Sequence, residues 1–372
     1  MDYDLIVVGL GGVGSAALAA AARRGLRVLG IDRFEPPHGM GSSHGHSRII
    51  RQAYFEHPDY VPLAVEAYRL WAELEAETGR RLFFQSGLLQ VGPPEGEVVS
   101  GVLHAAGLHG LAIEQLSREE VLRRWPGIRV AEGSVGAFEP KAGYLLVEDC
   151  VAAHLEIAKQ FGAEIETGVV VNGWRPGQTV VIETEAGDRS AKAAVIAAGP
   201  WAGELLASLG TPLEVQRKPL HWCAASEGFE ESSVPSVFLF ETPEGHYYGT
   251  KPLDGRGFKL AEHSGGVEVA DPSTIDRGLD TEELGRVDAF RQECLPAACE
   301  AFADHAVCMY TMTADGHFVV DRLPGEPNVA IAAGLSGHGF KFAPVLGEAL
   351  VGLAIDGGTD LPIGFLSAVR FG

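Results

Sequence analysis

Four stretches of the chain gather residue types able to do chemistry. The first is Gly9-Leu-Gly-Gly-Val-Gly14, a GxGxxG pattern. Glycines so spaced allow a tight turn and let a pyrophosphate approach the start of a helix, where free N–H groups and the helix dipole favour an anion. Asp32 stands 18 residues after Gly14, where a carboxylate can accept hydrogen bonds from the 2′ and 3′ hydroxyls of a ribose. An acid at this position disfavours the 2′-phosphate of NADP and leaves NAD and FAD open.

The second stretch is Gly41-Ser-Ser-His-Gly-His-Ser-Arg-Ile-Ile-Arg51. Arg48 and Arg51 would share a face on a helix and splay in an extended segment; solvated surface is the ordinary place for both. A formal GxSxG surrounds Ser43, but a hydrolase nucleophile needs a strand-to-helix turn and this serine falls in a loop. His38, His44 and His46 have no Asp, Glu or Cys close by in that loop to complete a zinc-like set, so no metal is expected. The third stretch, Ala306 to Asp321, carries Cys308, whose ordinary fate is that of a small buried hydrophobe. The fourth is Gly334-Leu-Ser-Gly-His-Gly-Phe-Lys-Phe342. Its glycines, Gly337 and Gly339 among them, imply close backbone approach, and Lys341 stands among apolar residues, where a snorkelling side chain is the plain expectation.

The elements that would carry these residues follow from local pattern. Asp4–Val8 is an apolar run, Ser15–Arg24 an alanine-rich helix ended by Gly25, and Leu26–Asp32 a second strand, which together make a βαβ unit. Beyond Asp32 the regular repeats stop. Helices are expected at Tyr60–Glu77, Glu148–Phe161, Thr281–Cys294 and Ala343–Ile355. Strands are expected at Ile165–Val171, Thr179–Glu185, Ala193–Ala198 and Val329–Ala333, and Val215–Cys223, Ser236–Glu241, Tyr247–Lys251 and Gly257–Leu260 should form a separate antiparallel sheet.

Composition narrows the function classes. The 372 residues leave ample room for a core, and 29 basic against 50 acidic residues give a net charge of −21, which repels nucleic acid and anionic membrane surfaces. Five cysteines, an odd number without CxxC spacing, point to a reduced, cytoplasmic protein. Leu5–Ala22 is free of charge, but acidic residues precede it and four glycines interrupt it, so neither a targeting nor a spanning segment is expected. The 48 glycines are abundant for this length.

Taken together, these motifs resemble the monomeric sarcosine oxidase and N-methyltryptophan oxidase family, over essentially the whole chain. The likeness rests on Gly41-Ser-Ser-His-Gly-x-Ser-Arg-Ile-Ile-Arg51, on Cys308-Met-Tyr-Thr with His317-Phe-Val-Val-Asp321, and on Gly334-Leu-Ser-Gly-His-Gly-Phe-Lys341. The resemblance implies FAD, attached covalently through its 8α carbon to Cys308. It implies a substrate carboxylate held by Arg51 and Lys341, with Tyr248 and His263 facing the substrate. Lys259 would promote reaction with oxygen, and Arg48 and His44 would lie beside the flavin ring. Cofactor contacts would come from Gly9, Gly11, Gly14, Asp32, Ser42, Ser43, Arg48, Cys308, Gly337, Gly339 and Lys341. Departures from the family pattern are His46 for aspartate, Ser47 for threonine, Thr250-Lys251 for Phe-Pro and Leu239 for methionine; these bear on substrate size.

The implied fold is α/β, a Rossmann-like FAD-binding domain (1–82, 145–212 and 309–372) interleaved with a β-rich substrate domain of antiparallel sheet and helices (83–144 and 213–308). The implied reaction oxidises a secondary N-methyl amino acid to an imine, which water hydrolyses to amino acid and formaldehyde while O2 becomes H2O2. The expected partners are a small-molecule amine and O2, with no nucleic acid, no membrane and a monomeric state. A bulkier or cyclic amine such as N-methyltryptophan or pipecolate is the alternative substrate. An NAD-dependent dehydrogenase is the alternative enzyme. A bare nucleotide-binding module would account only for the first forty or so residues.

Overall fold

The computed structural model describes residues 2–371. Strand Tyr3–Val8 lies at the centre of an eight-stranded sheet, paired in parallel with Val28–Asp32 on one side and Arg189–Ile196 on the other. Val329–Ala333 adds a further parallel strand beside Arg189–Ile196. From Leu5 to Val8 the central strand is apolar because both faces are covered. Leu5 and Val7 meet a cluster built from four helices, Gly12–Arg23, Tyr60–Thr78, Val147–Gln160 and Ala343–Val351, whereas Ile6 and Val8 meet Val180, Ile182 and Ile331.

Helix Gly12–Arg23 is thin by composition, and that thinness lets neighbours approach. A Cβ on Gly347 of the closing helix would lie 2.7 Å from the backbone of Ala16 and Ala17. The helix begins at Gly12, three residues before the expected Ser15, because Ser43 Oγ accepts the Gly12 N–H at 2.9 Å and caps the turn from a distant loop.

A second, nine-stranded sheet contains Glu214–Ala225, Val237–Thr242, Gly245–Thr250 and Phe258–Glu262, as expected, and five strands more. It is not wholly antiparallel: Val237–Thr242 pairs in parallel with Leu88–Gly92. Along its strands alternate residues share a face. One face, with Phe238, Phe258 and Leu260, packs on helix Thr281–Cys294. The other presents Leu239, Tyr248 and Ala261 in register, and Leu220 and Cys308 pack beside Ala261. A small three-stranded sheet joins Ser47–Ile50 to Gly143–Leu146 and Phe83–Gln85. It anchors the segment between Arg48 and Arg51.

Several expectations need correction. The strand expected at Ile165–Val171 is two strands, Glu164–Thr167 and Val171–Arg175, separated at Gly168 by a positive φ of 70°. The closing α-helix stops at Val351 and continues as one wider turn, Gly352–Asp356. Strand Cys299–Met312 and helix Glu97–His109 were not expected. The helix hides behind Gly101, where a side chain would strike Phe55, with a Cβ only 2.7 Å from its carbonyl oxygen.

Gly14 and Gly25 provide a paired test. A Cβ on Gly14 would collide with the Gly9 carbonyl, whereas one on Gly25 meets nothing within 4 Å despite a φ of +74°. Gly14→Ala should therefore cost about 1–3 kcal/mol and lower occupancy by the expected FAD, because it levers the helix start off the first strand. Gly25→Ala should cost no more than about 2 kcal/mol and leave occupancy unchanged. Thermal unfolding and the ratio of visible to ultraviolet absorbance check both.

Candidate active site

A cleft, partly open to solvent, runs along the ends of the central strands and reaches from the Gly9–Val13 turn to Tyr310 and Gly337, a span that suits a dinucleotide. Its floor includes Gly9, Gly11, Gly12 and Asp32, with Ser43 against Gly12; its far end includes Ser42, Arg48, Tyr310, Thr311, Gly337 and Gly339. Gly14 is not on the wall and packs under the Gly9 carbonyl instead. Asp32 is 7% exposed and already accepts from Leu10 N at 2.7 Å and Phe34 N at 2.8 Å. A carboxylate has about four lone-pair sites, so capacity for ribose hydroxyls remains. Thr311 Oγ1 is buried on this wall without a partner. Glycine cradle, helix start, acid and orphan hydroxyl together fit an FAD.

At the far end, alternate residues of strand Cys299–Met312 bring Cys308 and Tyr310 to the same side. Cys308 is 1% exposed, with Sγ 3.3 Å from Arg48 Nη2 and 3.5 Å from the Ser42 carbonyl. Burial alone would raise its thiol, but Arg48 foremost, with His44 beside it, brings it down to about 6. His44 is buried and its Nε2 has no partner. Lys259 Nζ donates to the carbonyls of Gly45 at 2.9 Å and Ser47 at 2.7 Å. Burial, then the charge of Arg48, holds this lysine well below its ordinary value. Cys308, His44 and Lys259 stand behind the cleft wall rather than on it.

A second cavity of about 490 Å³ adjoins the cleft, and Arg48, Tyr310, Gly337 and Phe340 line both. Arg51, Lys341, Tyr248 and His263 face it, as does Leu239. Lys341 therefore lies on this cavity and not on the nucleotide cleft. Arg51 is 4% exposed. Its guanidinium sits 4.5 Å from the Tyr54 ring centre and 4.4 Å from that of Phe55, and its Nη2 is paired with both oxygens of Glu56. Arg51 Nε is buried without a partner. Burial would raise the Glu56 carboxyl, yet Arg51, assisted by His338 and Lys341, keeps it at about 2. Lys341 Nζ donates to the His338 carbonyl at 2.7 Å and to Tyr54 Oη at 3.1 Å. Burial and the nearby Arg51 push Lys341 well below an ordinary lysine. Burial likewise lowers His263 to about 3 and raises Tyr248, so both are uncharged near neutral pH.

Reading the sequence missed Glu56, Tyr54, His338, Tyr310 and Lys218. Lys218 is 3% exposed, donates to the backbone carbonyls of His263 and Ser264 at 2.9 and 2.8 Å, and lies 4.9 Å from the Tyr310 ring centre. His338 and Tyr310 fall inside motifs already singled out, so their signal was present. Glu56 follows Arg51 by five residues in a stretch without periodicity, and nothing local marks it. Among the described residues there is no cluster of three or more His, Cys, Asp or Glu able to hold a metal, and no helix long and apolar enough to cross a membrane.

Comparison with known proteins agrees with this geometry. A family profile described as FAD dependent oxidoreductase matches residues 4–353. The chain is 41% identical to a monomeric sarcosine oxidase of Streptomyces avermitilis, covering 99% of this chain and 97% of that one. It is 36% identical to an N-methyl-L-tryptophan oxidase of Yersinia pestis over the full length of both. Among solved structures, NikD, an amino acid oxidase essential for nikkomycin biosynthesis, superposes with a TM-score of 0.85 at 25% identity over 98% of this chain and 97% of that one.

The Cys308 thiol gives a pH test. Its depressed value means that the thiolate is the major form above about pH 6 and is lost as pH falls through that value. Ultraviolet thiolate absorbance of flavin-free protein, minus that of Cys308→Ser, should titrate with a midpoint near pH 6. In Arg48→Met the midpoint should move up by about one unit or more; an unmoved midpoint would remove Arg48 as the cause.

Proposed function

Because the chain belongs to the FAD dependent oxidoreductase family, we propose that it oxidises the N-methyl group of a small secondary amino acid of the sarcosine type. The products are an imine, hydrolysed by water to the amino acid and formaldehyde, and H2O2 from O2. The observation that carries this reading is a buried pair of cationic side chains, Arg51 and Lys341, on a cavity that shares a wall with the nucleotide cleft. The relatives' names support it from sequence.

FAD, when bound, supplies the acceptor for two electrons and passes them to oxygen. The chain's own residues bind, orient and exclude water. Arg51 presents a planar fork to the substrate carboxylate, and the partnerless Nε offers a further donor. Glu56 takes Nη2 of that fork in the free protein, so a substrate carboxylate competes with it there or uses the donors that remain. A substrate carboxylate beside Lys341 would offset the effect of burial and favour its protonated form. Tyr248, His263 and Tyr310 wall the cavity without adding a formal charge. The amine must be neutral to surrender a hydride equivalent, and the cationic field of Arg48 and Arg51 favours its neutral form. Lys259 we assign to oxygen reactivity and Cys308 to covalent attachment at the 8α carbon; the low thiol pKa and the closeness of Arg48 support the second assignment.

We extend the proposal to a monomer in a reducing, cytoplasmic setting, supported by five free cysteines and a net charge of −21, and to the division of the chain into FAD-binding segments 1–82, 145–212 and 309–372 with substrate segments 83–144 and 213–308. A bulkier N-methyl amino acid is the second reading. Leu239 on the cavity wall favours it.

Turnover with sarcosine and with N-methyltryptophan, followed as equimolar formaldehyde and H2O2, tests the reading. Arg51→Met should lose about 2–5 kcal/mol of transition-state binding, a fall of some 30-fold to more than 1000-fold in kcat/KM. Glu56→Gln should lower KM several-fold, because an uncharged competitor leaves Arg51 more readily. A higher KM in Glu56→Gln would show that Glu56 assists binding instead.

A further inference from the structure

The Arg277 side chain ties together the two elements that meet at the Cys308 end of the cleft. Its Nη1 donates to the Gly39 carbonyl at 3.1 Å and the Val307 carbonyl at 2.9 Å, and its Nη2 to the Met40 carbonyl at 2.6 Å. Gly39 and Met40 open the loop that presents Ser42, Ser43, His44 and Arg48. Val307 immediately precedes Cys308 on strand Cys299–Met312. A planar guanidinium with five donors can span three acceptors on two elements, which a lysine ammonium does not do with the same fixed geometry.

The turn carrying Arg277 is itself braced. Arg217, buried and ion-paired with Glu283, donates to the carbonyls of Asp276 and Gly278. His305 Nε2 lies 3.2 Å from the Arg277 carbonyl. Neither cavity wall includes residues 276–278, so Arg277 acts on the site from outside it, through the carbonyls it holds.

We propose that Arg277 is a positioning residue for covalent flavin attachment: it clamps the 41–48 loop to the Cys308 strand and thereby sets where the thiol stands relative to the cleft. This rests on the reading of Cys308 as the attachment point. Attachment replaces one 8α C–H bond and the S–H bond by a C–S bond, and the two protons and two electrons released leave with O2 as H2O2, the oxidant already required for turnover. Such a bond forms only from a near-attack geometry, and a displacement of about 1 Å can cost roughly 100-fold in rate. The contacts that locate Sγ, to Arg48 Nη2 at 3.3 Å and the Ser42 carbonyl at 3.5 Å, are both made by the loop that Arg277 tethers.

The test uses full-length apoprotein from riboflavin-starved cells, as parent, Arg277→Lys, Arg277→Met and Cys308→Ser, mixed with FAD in air. Binding is followed by quenching of flavin fluorescence, attachment by flavin retained after acid precipitation. Arg277→Met should bind FAD within about threefold of the parent and attach it at least about tenfold more slowly, with Arg277→Lys between. Attachment at the parent's rate in Arg277→Met overturns the proposal. So does a loss of FAD binding in step with attachment in both Arg277 variants, which would mark a general support of the cleft. A parent that attaches no flavin, or a Cys308→Ser protein that still does, removes the Cys308 reading and this proposal with it; that failure is seen in the controls and not in the Arg277 variants.

Discussion

Burial of the Arg51 charge is the constraint on which the site depends. A guanidinium removed from water needs counter-charge and donors satisfied nearby, or its burial is strongly unfavourable. Here Glu56 supplies the charge, and the faces of Tyr54 and Phe55 supply the bed. Glu139 stands in the same neighbourhood, spent on the backbone N–H groups of Gln52 and Ala53, where it fixes the chain just after Arg51. Because Glu56 holds only Nη2, the rest of the guanidinium stays available to a carboxylate in the cavity, and a ligand without one has no such charge-assisted contact to make.

A parallel arrangement governs the flavin end. Burial, and then the nearby Arg48, disfavour the charge on Lys259. The loop at residues 42–47 answers with carbonyls: those of Gly45 and Ser47 accept from Lys259, and those of Ser42 and Ser47 accept from Arg48. The Cys308 thiol adds an anion in the same place. Loop conformation, thiol ionisation and lysine state are thus set together.

What could be read from sequence follows from what is local. The βαβ unit was legible because its strands are buried on both faces and its glycines are fixed by contacts within a few residues, such as Gly14 under Gly9. Arg51, Lys341, Tyr248 and His263 could be singled out by resemblance, and the structure brings all four to one cavity. Glu56 could not, because its partner is selected by the path of a loop without periodicity. Lys218 and Arg277 were equally hidden: each acts on backbone carbonyls far away in sequence, and carbonyls leave no trace in residue type. Helix Glu97–His109 was concealed by its two glycines, of which Gly101 serves packing against Phe55, and strand Cys299–Met312 by an exposed first half that lacks clean alternation.

The central claim is that a carboxylate on Arg51 and Lys341 presents the amine to the flavin. Anaerobic mixing of the yellow holoenzyme with sarcosine, or with dimethylamine, which is sarcosine without its carboxyl group, tests it most directly. The account predicts rapid bleaching of the flavin by sarcosine and a rate at least about 100-fold lower with dimethylamine at equal concentration, the loss expected for a buried charge-assisted pair. Equal rates with the two amines would contradict it.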